Sequence, residues 1–338
     1  MSCLPIGSPT IPGPTGKHSM PSSRSSDLPI DDSWILDRRG QRNVVDPLRP
    51  YAYTVEPERT VEGAVADVAT IFISNKECPF RCLMCDLWQN TTTFRVTDGA
   101  VVGQIEWALA RLPTVKHVKL YNAGSFFDSQ AIPQSERPRI AELLSEFDTV
   151  IVESHPRLID QRCIELADML HPRLQVALGL ETVDPEVLPR LNKRMSLADF
   201  ERAVRFLTAH GIDTRAFILL RTPFQNEQQG VHWASRSLDY AFGIGVECCV
   251  VIPTRAGNGA MDVLQREGHF EPPSLASLEQ VLDYGIKLGR GRVFADLWDI
   301  EKFYSCTVCG PARKERLNEM NLTQRTLPVV PCECADRS

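Results

Sequence analysis

The sequence predicts an α/β protein built on a parallel sheet, and three observations carry that prediction. From residue 65 onward, six apolar runs of strand length alternate with amphipathic stretches of helix length. They repeat as β-α units, and parallel neighbours need a crossover of a dozen or more residues, usually a helix. Seven of the 11 cysteines form two groups, Cys78, Cys82, Cys85 and Cys306, Cys309, Cys332, Cys334. The first opens the repeats and the second follows them, so thiol chemistry frames the predicted core.

In chain order, residues 1–48 are rich in Pro, Ser and Gly, a composition that buries too little apolar surface to offset its ordering entropy. They are expected to be a disordered extension. Residues 49–300 are the expected core, with residues 50–64 as a lead-in that has room for a short strand. The strand candidates are 69–74, 118–123, 149–154, 174–181, 214–220 and 247–252. The helical stretches between them are 101–112, 138–147, 160–170, 197–209 and 230–242. Ser196 with Asp199 three residues on predicts a helix start close to a capping box, and Gly211 a stop. A further helix over 275–288 and an apolar run at 292–298 complete the core, and residues 301–338 form a cysteine-rich tail. Periodicity alone leaves a doubly wound sheet and a barrel both open.

Composition narrows the class. The chain has 338 residues, 43% hydrophobic and 24% charged, which is ordinary for a globular protein. No apolar run nears the ~18–20 residues that cross a bilayer, and the N-terminus lacks a secretory layout. A cytoplasmic protein without membrane contact is expected, and cysteines there point to metal or redox chemistry rather than disulfides. The net charge of −6 does not in bulk suit a nucleic-acid partner.

The most specific stretch is Glu77-Cys78-Pro79-Phe80-Arg81-Cys82-Leu83-Met84-Cys85-Asp86-Leu87-Trp88. Three thiolates can hold three irons of a [4Fe–4S] cube and leave the fourth open, whereas a structural zinc site wants four ligands. The spacing C-x3-C-x2-C, with Met84 at the apolar position before the last cysteine, resembles the cluster loop of the radical S-adenosylmethionine (SAM) superfamily. The resemblance implies a partial (β/α)6 barrel and a [4Fe–4S] cluster on Cys78, Cys82 and Cys85. It further implies reductive cleavage of SAM to methionine and a 5′-deoxyadenosyl radical, with hydrogen abstraction from a substrate. An external one-electron donor of flavodoxin or ferredoxin type is implied as a partner.

In parallel α/β folds ligands bind at the carboxyl ends of the strands, so those positions supply the remaining candidates. Asn122-Ala123-Gly124-Ser125 stands where the superfamily often carries a Gly-Gly-Glu-like element whose backbone meets SAM. The alternative is a plain tight turn. Glu153-Ser154-His155-Pro156 and Gly179-Leu180-Glu181-Thr182 resemble elements of the branch containing the Elongator catalytic subunit, where carboxylates and hydroxyls help position SAM or the cluster end of the barrel. The alternative for Glu153 or Glu181 is a helix cap. Arg221 at the fifth strand's mouth is a candidate for the SAM carboxylate or for substrate, against a surface ion pair. Ile252, ending the sixth strand, is a candidate for the adenine site. Met84, Asn122, Gly124, Ser125, Glu153, Ser154, Glu181, Arg221 and Ile252 are thus the expected cofactor-binding set.

The tail pairs Cys306/Cys309 and Cys332/Cys334 offer four thiolates, open to a zinc site, an auxiliary iron–sulfur cluster, or no metal. Together with Gly124-Ser125-Phe126-Phe127-Asp128 and Pro272-Pro273-Ser274-Leu275, the tail is similar to that of the archaeosine-biosynthesis radical SAM proteins. That resemblance implies a modified deazaguanine base in tRNA as substrate, with a carbon–nitrogen bond cleaved. The rival readings are a radical SAM enzyme acting on a small molecule or peptide, and a non-catalytic iron–sulfur or zinc protein.

Overall fold

The computed structural model describes residues 28–332; residues 1–27 of the expected extension and Cys334 lie outside them. In chain order the elements are α1 (Asp32–Leu36), β1 (Ala52–Arg59), β2 (Val65–Phe72), α2 (Ala100–Leu109), β3 (His117–Tyr121), α3 (Arg137–Leu143), β4 (Thr149–Ser154), α4 (Gln161–Met169) and β5 (Arg173–Glu181). Then come α5 (Leu197–Ala209), β6 (Asp213–Leu220), α6 (Glu227–Gly243), β7 (Cys248–Pro253), α7 (Ala260–Arg266), α8 (Leu275–Leu288), β8 (Arg292–Ala295) and α9 (Gly310–Thr323). All eight strands form one sheet in sequence order. Strand β1 runs antiparallel to β2, and every later pair is parallel. The six expected strands are β2 to β7; β1 fills the lead-in and β8 the apolar run after the core.

Side-chain alternation sorts each strand into two faces. Ile71, Leu120, Val152, Val176, Ile218 and Val251 belong to the large core beneath the helices. Their neighbours on the other face, such as Lys119, Gln175, Arg215 and Phe217, turn into the curl of the sheet. Near the amino ends of the parallel strands that interior is charged. Glu58 of β1 pairs with Lys119 of β3 at 2.5 Å and with Arg215 of β6 at 2.5 Å. Arg215 donates to Gln175, Gln175 donates to Glu247, and Arg292 of β8 pairs with Glu247 at 2.7 Å. Since β1 and β6 are not sheet neighbours, the Glu58–Arg215 bond records how far the sheet curls: a partial barrel, as the resemblance implied.

The sheet does not close between β1 and β8, and α9 packs across that gap against both strands. Asn321 bonds the amide and carbonyl of Ala295, and Gln324 those of Val293. Two side-chain amides thereby satisfy backbone groups of edge strand β8. Leu317 and Met320 join the main core, so α9 is part of the barrel wall.

Residues 28–48 correct the expectation of a disordered extension over 1–48. Asp31 caps α1, and Ile35 is buried with Leu83, Leu191, Met261 and Phe270 in a second apolar cluster. A few apolar side chains fixed by a neighbouring surface order a segment whose composition argues against order.

The Glu58 bonds predict a pH-dependent stability. Burial works against its charge, but Arg215 and Lys119 hold its carboxyl well below the usual range. Ionised Glu58 therefore stabilises the fold fully above the ordinary carboxylate pKa and less as pH falls through the lowered one. Glu58→Gln, which leaves Arg215 uncompensated, should cost about 3–5 kcal/mol at pH 7. In denaturant titrations the gap from wild type should hold from pH 8 to about 5 and narrow below about 4.

Candidate functional site

The three-cysteine loop follows β2 at the carboxyl end of the parallel strands, and it is held largely through its own backbone. Leu83 N–H donates to Leu191 O at 2.9 Å. The Asn258 amide donates to Leu83 O at 2.8 Å and Cys85 O at 3.1 Å, and Asn192 donates to Arg81 O at 2.8 Å. Leu83 is fully buried in the second apolar cluster, and Met84 packs against it. Glu77 anchors the loop's start. It pairs with Arg39 at 2.6 Å, with Arg42, and with Arg81 at 3.2 Å; against the cost of burial, these partners hold its carboxyl below the ordinary value. Phe80 stacks on His155 from the end of β4, ring centroids 3.6 Å apart.

The three thiols themselves are spread. Among the described residues, the group of three sulfurs lying within 4.8 Å of one another is in the tail, not in this loop. One tetrahedral ion, with metal–sulfur bonds of about 2.3 Å, could not reach all three loop sulfurs, whereas a cluster gives each thiolate its own iron. Burial raises each thiol to about 12.

The turn after β3 is stitched to the end of β4. Asn122 N–H donates to Glu153 Oε1 at 2.6 Å, Phe126 N–H donates to Glu153 O at 2.8 Å, and the Ser125 and Ser154 hydroxyls bond at 2.7 Å. Burial pushes the Glu153 carboxyl up to about 7, partly offset by the amides of Asn122, Gly124 and Ala123. Glu153 is thus a support for the turn rather than a helix cap. The turn approaches the cysteine loop closely: a Cβ at Gly124 would lie 3.1 Å from the Cys78 Cβ. Asn122 is fully buried, yet neither Nδ2 nor Oδ1 has a hydrogen-bond partner among the described residues. An orphaned buried amide is costly unless a ligand or water completes it. The spread thiols, the close turn and this orphan amide fit a cluster with a polar ligand beside it.

Glu181 has a partner that sequence reasoning missed. Lys193 forms a buried ion pair with it, and a Cβ at Gly179 would collide with both groups. The backbone bulges between Gly179 and Glu181, with Glu181 at φ 66°, which turns the carboxylate toward Lys193. Burial disfavours the Lys193 charge, but Glu181 and then the thiols of Cys82 and Cys78 raise its pKa. His155 donates from Nε2 to Lys193 O at 3.0 Å and accepts at Nδ1 from Arg157 N–H. Burial and then Lys193 press its pKa down to about 3, so it is a neutral spacer.

Arg221 is a correction. Its φ is 55°, and its guanidinium is engaged by Glu227 at 2.6 Å, the Pro272 carbonyl at 2.8 Å and Glu271. It fastens β6 to the starts of α6 and α8 and does not face the cysteines. Ile252 packs with Phe217 against Cys248, Val250 and Phe294 inside the barrel. In the tail, Cys309 and Cys332 sulfurs are 3.1 Å apart and Cys306 completes the trio. A separate polar cleft lies at the opposite end, among Glu58, Arg173, Gln175 and Asp213. Parallel α/β folds bind ligands at the other face, so the cysteine end is the candidate site.

With this geometry, known proteins compare as follows. Residues 73–230 match the model of the Radical SAM superfamily. An uncharacterized protein of Methanocaldococcus jannaschii is 24% identical over 318 residues, 87% of each chain. The archaeosine synthase subunit beta of Methanosarcina acetivorans is 23% identical over 300 residues, 82% of this chain and 85% of that one. Methylornithine synthase superposes with a TM-score of 0.50 at 17% identity, over 73% of this chain and 66% of that one; this likeness establishes the fold.

The buried Glu181–Lys193 pair sets a double-variant test. Lys193→Met strands a buried carboxylate and should lower the stability of the metal-free protein by about 3–5 kcal/mol. Adding Glu181→Gln should recover most of that loss, and guanidinium denaturation of the single and double variants measures it.

Proposed function

We propose, on the premise that the chain belongs to the radical SAM superfamily, that it acts as a radical SAM enzyme on a modified base of tRNA. The observation that carries the catalytic reading is the spread set of three half-buried thiols at the carboxyl end of the barrel, held by Asn192, Asn258 and the Leu83 socket. Cys78, Cys82 and Cys85 would hold a [4Fe–4S] cluster with one iron left for SAM. When bound, that group supplies the electron that divides SAM into methionine and a 5′-deoxyadenosyl radical. Asn122 offers an unpartnered amide to the cofactor, and Glu153 fixes the Asn122-to-Gly124 backbone beneath it. Lys193, bonded to Glu181, keeps a positive charge next to Cys82 and Cys78.

The substrate reading rests on the relative named archaeosine synthase subunit beta. It includes cleavage of a carbon–nitrogen bond after hydrogen abstraction, an external flavodoxin- or ferredoxin-type electron donor, and a companion subunit. For the tail we propose one zinc on Cys306, Cys309 and Cys332, with Cys334 as fourth ligand. The compact sulfur trio supports a single ion, since thiolates around tetrahedral zinc stand about 4 Å apart.

Two measurements check these readings. After anaerobic reconstitution, wild type should release 5′-deoxyadenosine from SAM, and Ala at any one of Cys78, Cys82 or Cys85 should abolish it; wild-type release from any such variant refutes the cluster assignment. Elemental analysis of the triple-Ala variant isolates the tail, where about one zinc per chain is expected. Roughly four irons and no zinc would assign the tail an auxiliary cluster instead.

A further inference from the structure

The mouth of the barrel carries a run of aromatic rings that no contact to the cysteine loop requires. Tyr51 and Phe72 have centroids 5.5 Å apart, Phe72 and Tyr121 6.2 Å, Tyr121 and Phe217 6.3 Å, and Phe72 and Trp298 6.4 Å. The rings come from β2, β3 and β6, from the residue before β1 and from the loop after β8, so they converge across the curl of the sheet. Interior side chains of a filled barrel are buried; here Phe72, Tyr121 and Phe217 are only half-buried, and Trp298 is 56% exposed. The lumen is therefore open at this level.

Its depth can be read from the neighbours. Tyr51 N–H donates to Phe72 O at 2.9 Å, at the end of β2 that leads into the cysteine loop. Tyr121 lies between Lys119, which pairs with Glu58 of the charged floor, and Asn122, whose N–H donates to Glu153. The ring wall thus descends from the cluster thiols toward the charged floor. Among the described residues, neither tyrosine hydroxyl has a hydrogen-bond partner, and neither is a sealed polar atom. At the rim, Arg255 and Asp296 pair at 2.9 Å.

We infer that this wall is the substrate-recognition surface and that it takes a flat heteroaromatic ring of nucleobase type, stacked on the face of one ring with its polar edge toward the hydroxyls of Tyr51 and Tyr121. The other rings, which stand edge-on or tilted to one another, surround it. Base–aromatic stacking needs a π-face and tolerates many ring identities, and polar groups at the edge select among them. An aliphatic or peptide substrate would leave the hydroxyls and ring faces poorly used. A base carried by RNA must leave its stack to reach Tyr121, with Trp298 at the rim placed to receive it. This inference rests on the reading of the barrel mouth as the reaction site.

The test uses the reconstituted full chain and 2-aminopurine riboside, whose fluorescence is quenched on stacking, with S-adenosylhomocysteine held saturating so that the cofactor's own adenine site is filled. A second arm uses an RNA stem-loop with 2-aminopurine in the loop. Binding in either arm is expected, and binding by RNA alone identifies a base in a chain as the source. Trp298→Ala should weaken binding about five- to hundredfold, with Trp298→Phe restoring most of it; its exposure keeps the variant folded. Tyr121→Leu should act in the same direction. No binding in either arm, equal binding by Trp298→Ala and wild type, or loss of wild-type binding on adding S-adenosylhomocysteine would each overturn the inference. Cleavage of SAM is followed separately on the same preparation. Intact cleavage without nucleobase binding defeats this inference and the tRNA-base reading of the substrate but leaves the catalytic reading standing; absent cleavage defeats the catalytic reading, whatever the fluorescence shows.

Discussion

A parallel sheet that curls without closing has two edges and an interior to fill, and the rest of this molecule answers that constraint. The floor is filled by charge: Glu58 reaches Arg215 and Lys119, and the bonds continue through Gln175 and Glu247 to Arg292. A buried pair is costly to break and weak as a net stabiliser. Its value here is geometric, because each bond needs β1, β6 and β8 at fixed separation. Aromatic residues occupy the level above, and the carboxyl ends of the strands are left for the cysteine loop and the turns that meet it.

That loop is short, polar at its start, and without regular structure over Cys78 to Cys85, so its shape comes from outside. Helix α1 and the segment after it bring Ile35 beneath Leu83, and Arg39 and Arg42 to Glu77. Asn258, just before α7, and Asn192, after β5, hold the loop's carbonyls. Parts of the chain more than 150 residues apart thus converge on eight residues. Losing any one of these contacts would move the thiols relative to one another, and their spacing separates a cluster site from a single-ion site.

Much of this was legible in the sequence. The outward faces of β2 to β7 pack beneath helices, so their strands read as apolar runs, and each was located within a few residues. Helices α5 and α8 matched the expected bounds, and Ser196 and Asp199 form the expected reciprocal cap. The loop was legible because thiol chemistry imposes its spacing. Other features were not. Glu58 and Arg215 are 157 residues apart, and no local pattern announces such a pair. Lys193 reads as a surface lysine in Asn192-Lys193-Arg194, and only packing buries it against Glu181. Arg221 follows the last residue of β6, but its guanidinium is taken by Glu227 and Glu271, partners that a strand-end position does not announce. Residues 28–48 failed for a compositional reason: their few apolar side chains suffice once a surface awaits them.

The two thiol sets differ in geometry because they stand on different supports. The first sits on a loop between strand and helix, clasped by side chains from four parts of the fold, and its sulfurs are held apart. The second sits where α9 begins, with Cys309 as its N-cap, and its sulfurs are drawn together. Helix α9 buries only Leu317 and Met320 from its apolar set in the main core. It relies otherwise on Arg313 with Glu279, Arg316 with Asp283, and the amides of Asn321 and Gln324 on β8. Arg316 and Glu279 are buried, and a buried ion pair is weak as a net stabiliser even though it is costly to break, so a helix docked this way is a weak closure for an open barrel. Cross-linking its first turn to Cys332, which returns along the helix through the Leu327 and Pro328 carbonyls on Arg316, would remove the freedom of both ends at once. Compact thiols at that point suit a staple for the wall, as spread thiols at the mouth suit a reactive centre.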